Sequence, residues 1–123
     1  MLRNRGGETP LQLGGVSCYF GILLVEFQIP WSRSLKDRRQ VVRSLLEKLR
    51  RGANVSASDL GPDGAWAKVF LAVATSANDI GQVRSVLDQA EDFLHRESEN
   101  LDFEMLASRR KVGSYDEFSN REN

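Results

Sequence analysis

The stretch "CYFGILLVEFQIPWSRSLKDRRQVVRSLLEKLRRG", Cys18 to Gly52, changes its hydrophobic period halfway, and that change decides the fold. From Cys18 to Ile29 the residues are apolar and rich in β-formers, and Pro30 ends the run, so it reads as a strand. After Ser34 the apolar residues Leu35, Val42, Leu45, Leu46 and Leu49 recur at helical spacing. Ser34 is the N-cap, with Asp37 three residues on as an acidic variant of the capping box. Basic Lys48, Arg50 and Arg51 suit the negative end of the helix dipole, and Gly52 closes the element.

The same strand-then-helix unit comes a second time. "NVSASDL", Asn54 to Leu60, is a weaker, polar strand suited to an edge, and "GPDG" is turn punctuation. "AWAKVFLAVATS", Ala65 to Ser76, is a clear strand. Asn78 and Asp79 open a helix lined by Ile80, Val83, Val86, Leu87, Ala90 and Leu94. "LDFEMLASRR", Leu101 to Arg110, alternates as the last strand.

The order β-α-β-β-α-β, with right-handed crossings, puts both helices on one face of a four-stranded antiparallel sheet. That is a ferredoxin-like α+β fold with the first and third strands central. The expected domain spans 18–111, behind a glycine-rich flexible leader (1–17) and ahead of a loose polar tail (112–123).

Alternation then separates the two faces. Gly21, Leu23, Val25, Phe27 and Ile29 should lie under the helices, with Ala67, Val69, Leu71 and Val73 beside them. The final strand should add Leu101, Phe103, Met105 and Ala107. The opposite face collects Phe20, Ile22, Leu24, Glu26, Trp66, Lys68, Phe70, Glu104 and Leu106, too apolar to stand bare in water. Self-association as a homodimer through Phe20, Ile22, Leu24, Trp66, Phe70 and Leu106 is the preferred reading. Single-stranded RNA is the alternative occupant, because sheet aromatics stack bases.

Composition narrows the rest. The chain has 123 residues, with 17 Lys and Arg balanced by 17 Asp and Glu, so no global field recruits nucleic acid or an anionic membrane. Ser32 to Gly52 nonetheless packs eight basic residues into 21 positions. Most of that charge reads as a solvated helix face; the functional alternative is a phosphate ridge of Lys36, Arg39 and Arg43, with Lys68 on the sheet. Arg38 points inward among Leu35, Val42 and Leu45. It reads as a structural strut whose tip needs a carboxylate or several carbonyls, with Glu26, Asp37 or Asp79 as candidates.

The single cysteine, Cys18, and single histidine, His95, leave no zinc cluster and no cysteine–histidine nucleophile pair. No calcium loop or phosphate-cradling glycine loop stands out either, so no metal, cofactor or catalytic residue is expected. An enzyme with a pocket near Asn78 and Asp79 ranks third. No apolar run spans a bilayer, no secretory signal is visible, and the chain reads as cytoplasmic.

"SLKDRR", Ser34 to Arg39, resembles the S-L-K-D-K-R signature of the YlxP-like family, a bacterial domain of unknown function (503). By element order the resemblance extends over about Tyr19 to Arg110. It takes in Gly21, Pro30, "NVS" at Asn54 to Ser56, Trp66 and a "TSAND" run at Thr75 to Asp79. Asp59 stands where that family has glutamate, and Gly64 where it has an acidic residue. The resemblance implies a ferredoxin-like fold and no established activity. Family genes often neighbour those for transcription elongation and ribosome maturation, which implies an accessory role around RNA or the ribosome.

Overall fold

The computed structural model describes residues 15–115; the rest of the expected leader and tail, 1–14 and 116–123, lies outside the described residues. The elements are β1 (Tyr19–Gln28), α1 (Leu35–Gly52), β2 (Ser56–Gly61), β3 (Lys68–Ala77), α2 (Ile80–Leu101) and β4 (Glu104–Ser114). They form one four-stranded antiparallel sheet in the order β2-β3-β1-β4, so β1 and β3 are central. The α+β architecture is ferredoxin-like. α2 lies over β1 and β3, and α1 over β2.

Local chemistry starts and stops the helices. Ser34 Oγ accepts from the Asp37 amide at 3.1 Å, while Asp37 Oδ2 accepts from the Arg33 amide at 2.9 Å. Asp37 therefore reaches the amide one residue before the cap rather than the cap's own, a variant of the capping box. Asp79 Oδ2 caps α2 by accepting from the Gln82 amide at 2.9 Å. At its far end Asp102 takes a left-handed conformation (φ 57°) and donates its N–H to the Ser98 carbonyl.

Leu23, Val25, Phe27 and Ile29 of β1 and its continuation are fully buried, as are Val69, Leu71 and Val73 of β3. Val83, Leu87, Ala90 and Leu94 of α2 close over them, with Val41, Val42, Leu45 and Leu49 of α1. Gly21 makes the close approach of α2 possible. A Cβ there would stand 2.7 Å from Val83 Cγ1 and 2.8 Å from Leu87 Cδ1.

Several expectations need correction. Leu101 ends α2 rather than opening β4. On α1, Val41 is buried and Leu35 is half-exposed, so the core stripe is rotated by part of a turn from the one expected. β4 continues past residue 111, pairing Gly113 with Phe20 and Ser114 with Tyr19.

The largest correction concerns the phase of β4. Met105 opposes Phe27, but Ala107 opposes Glu26, so Leu106 is an extra residue in a β-bulge. Ala107 consequently turns to the helix-free face instead of the core. Beyond the bulge, Ser108, Arg110 and Val112 oppose Val25, Leu23 and Gly21, on the helix side. Arg109 and Lys111 oppose Leu24 and Ile22, on the open side.

Candidate functional site

Arg38 sits on α1 with 8% of its surface exposed. Its partner is Asp59 of β2 rather than Glu26, Asp37 or Asp79. Nη1 donates to Asp59 Oδ2 at 2.8 Å and Nη2 to Oδ1 at 3.0 Å. Nε donates to the Lys68 carbonyl at 3.0 Å and Nη2 also to the Gly61 carbonyl at 3.1 Å. The guanidinium thus ties α1 to β2 and β3 with its charge neutralised and its donors engaged. The hydrogen bonds from Arg38 hold the Asp59 carboxyl below its ordinary range, against the opposing effect of partial burial. Gly61, at φ 98°, adopts a conformation open to glycine and returns its own amide to Asp59 Oδ1 at 2.9 Å. The three rejected candidates have other work: Glu26 faces Lys68 at 3.5 Å, and Asp37 and Asp79 cap helices.

Arg50 makes a second bridge from α1, donating to the Ala57 carbonyl at 2.6 Å. Two carbonyls of the edge strand, those of Ala57 and Gly61, are therefore capped by arginine side chains.

On the helix-free face, β1 contributes Phe20, Ile22, Leu24 and Glu26, opposite Ser76, Ala74, Ala72 and Phe70 of β3, and Lys68 of β3 follows opposite Gln28. Ile22 and Leu24 are each 43% exposed and Leu106 48%, while Phe20 and Phe70 are half-buried. Trp66, 53% exposed, stands just before β3, and its carbonyl accepts from Ser32 Oγ. Lys68 Nζ lies 5.8 Å from the Phe70 ring centre, within cation–π range. Arg109 and Lys111 join this face through the bulge. Alternation counted straight through Leu106 hides them.

The four candidate phosphate contacts are not brought together. Lys36, Arg39 and Arg43 are exposed on α1, whereas Lys68 lies across the sheet on the open side. One strand of nucleic acid cannot use the helix ridge and the sheet aromatics at once.

Two ionic features outside these surfaces, one around buried Glu97 and one around partly exposed Glu91, also escaped sequence reasoning. Glu97, on the inner side of α2, accepts from Lys48 Nζ at 2.9 Å and from Asn100 Nδ2 at 3.1 Å. The Lys48 hydrogen bond is the main reason its carboxyl lies below the ordinary range. Glu91 accepts from Ser108 Oγ at 2.7 Å and Arg110 Nη2 at 2.8 Å, and is lowered chiefly by the Ser108 bond. Arg110 Nη1 also reaches Asp88 at 2.9 Å. Position 97 continues the 83-87-90-94 stripe, which was the available signal. Among the described residues, no group of three or more His, Cys, Asp or Glu could hold a metal ion. Nor is any described helix long and apolar enough to cross a membrane.

Among solved structures, the chain is similar to a C-terminal segment of the alpha subunit of aIF2 from Pyrococcus abyssi. Identity is 9% and the TM-score 0.45, over 84% of this chain and 53% of that one. This chain thus spans about half the length of that segment. No curated protein matches it. The family described as "Protein of unknown function (DUF503)" matches over residues 20–110, which covers β1 through most of β4. The chain belongs to the DUF503 family.

Proposed function

We propose that this domain is a non-enzymatic cytoplasmic module that self-associates, face to face, through the open side of its sheet. The observation that carries the reading is the aliphatic exposure of that face: Ile22 and Leu24 on central β1 and Leu106 on edge strand β4 are each about half-exposed. Its charges support a second copy as the occupant. Along β4 and β1, Glu104 and Glu26 stand toward one end, while Arg109 and Lys111 stand toward the other. A two-fold axis running across the strands lays β1 on β1 and β4 on β4 in opposite directions. With that axis level with Val25, Lys111 of one copy lies over Glu104 of its mate and Arg109 falls beside Glu26.

A second reading, single-stranded RNA on the same face, draws on Lys68, Arg109 and Lys111 around Phe20 and Phe70. Aliphatic Ile22 and Leu24 offer bases no stacking surface, so the dimer ranks first. Size-exclusion chromatography with light scattering tests both. The wild type should run as a dimer, and Leu24→Glu as a monomer with an intact thermal melt. Lys111→Glu should weaken the dimer, and adding Glu104→Lys should restore it. A wild type that is monomeric at high concentration overturns the dimer. Salt-sensitive RNA binding lost in Arg109→Glu would install the second reading in its place.

A further inference from the structure

We propose that the groove between α1 and β2 is a docking site for an extended segment of a partner protein with alternating acidic and aliphatic side chains. The groove lies on the helix side of the sheet, so it does not depend on what covers the open face. It encloses about 350 Å³, and its floor is aliphatic, made by Leu35, Val42 and Leu46. Leu35 is 44% exposed there, although it belongs to the apolar repeat of α1.

The rim is cationic. Arg38 is neutralised by Asp59, which leaves Arg39, Arg43 and Arg50 facing a single carboxylate, Glu47. The Arg39 and Arg43 side chains, exposed on α1, make no hydrogen bond or ion pair with any described residue. They stand one turn apart, about 6 Å along the axis, close to the ~6.7 Å between alternate residues of an extended peptide. Aspartate or glutamate at alternate positions would meet this rim while the intervening aliphatic side chains enter the floor.

Two further observations define the occupant. No aromatic side chain lines the groove, so a nucleic-acid strand would find charge without a stacking surface. The Ala57 and Gly61 carbonyls of the adjoining edge are taken by Arg50 and Arg38, so the segment is gripped by side chains rather than added as a fifth strand.

Fluorescence anisotropy at low salt tests this, using a short labelled peptide of alternating aspartate and leucine. Its lysine–leucine counterpart and a labelled uridylate decamer serve as comparisons. The acidic peptide should bind saturably and the basic one should not. Arg39→Glu/Arg43→Glu should weaken binding by about tenfold or more, and the milder Arg39→Gln/Arg43→Gln by less, with melting curves confirming that both fold. Leu35→Ser should weaken it about threefold or more, showing that the floor takes part. Arg84→Glu, on α2, should change nothing. Absence of saturable binding by the wild type overturns the proposal, as does indifference to the Arg39/Arg43 or Leu35 changes. Tighter binding of the uridylate decamer with the same arginine dependence would make the groove a nucleic-acid site instead.

Discussion

The Arg38 guanidinium meets the Asp59 carboxylate end-on, through paired contacts of 2.8 and 3.0 Å that join a helix to an edge strand. The two partners are unequal, because 10% of the Arg38 side chain is exposed against 32% for Asp59. Removing the acid leaves a nearly buried cation, whereas removing the base leaves a carboxylate that water can reach. Asp59→Asn should therefore destabilise by about 2–3 kcal/mol, and Arg38→Met by only about 1 kcal/mol, in urea unfolding. Equal losses would show that burial does not set the asymmetry.

Gly21 permits contact between β1 and α2, not a special backbone angle. Gly21→Ala should cost about 1–3 kcal/mol, because Val83 and Leu87 would both have to move in a filled core. The double change Gly21→Ala/Val83→Ala should recover part of that loss. An additive result in thermal melts would place the cost elsewhere.

Asp59, Glu91 and Glu97 all have carboxyls held below their ordinary range in the folded chain. A lowered folded value contributes stability that is complete above the unfolded value, about 4. It is lost as pH falls through the folded values. The urea midpoint should thus be level near neutrality and fall steadily below about pH 4.5. Glu97→Gln should cost about 1–2 kcal/mol of unfolding free energy at neutral pH, lowering the midpoint there, and flatten the acid limb. An unchanged acid limb would show that Glu97 is not linked to folding.

Deleting Leu106 should leave the domain folded, within about 2 kcal/mol of wild type, because Met105 and Ala107 would then pair with Phe27 and Glu26 in plain alternation while Arg109 and Lys111 keep the open face. Leu106→Ala keeps the residue count and should remain within about 1 kcal/mol of wild type. Loss of cooperative melting in the deletion variant would show that the bulge itself is required, beyond the faces that it assigns.

Element order was readable because β1 and α1 carry clean, different periods, and Ser34, Gly52 and Pro30 punctuate them. The inward sets of β1 and β3 followed for the same reason. Leu106 and Ala107 were opaque: both are apolar, so an extra residue between Met105 and Ser108 leaves no trace in an alternation count. The partner of Arg38 was equally hidden, since a seven-atom side chain reaches carboxylates on several elements and only packing selects Asp59. Glu97 was passed over because a charged residue on an apolar stripe looks like the stripe's end until Lys48 is seen opposite it.

Arg50 and Arg38, by plugging carbonyls of β2, also bear on how far an assembly can run. The sheet cannot readily lengthen on that side. At its other margin, an antiparallel β4–β4 contact centred on Arg110 would set Arg109 against Lys111, like charge on like. With both margins discouraged, the proposed face-to-face pairing would close on two copies instead of propagating into a fibre.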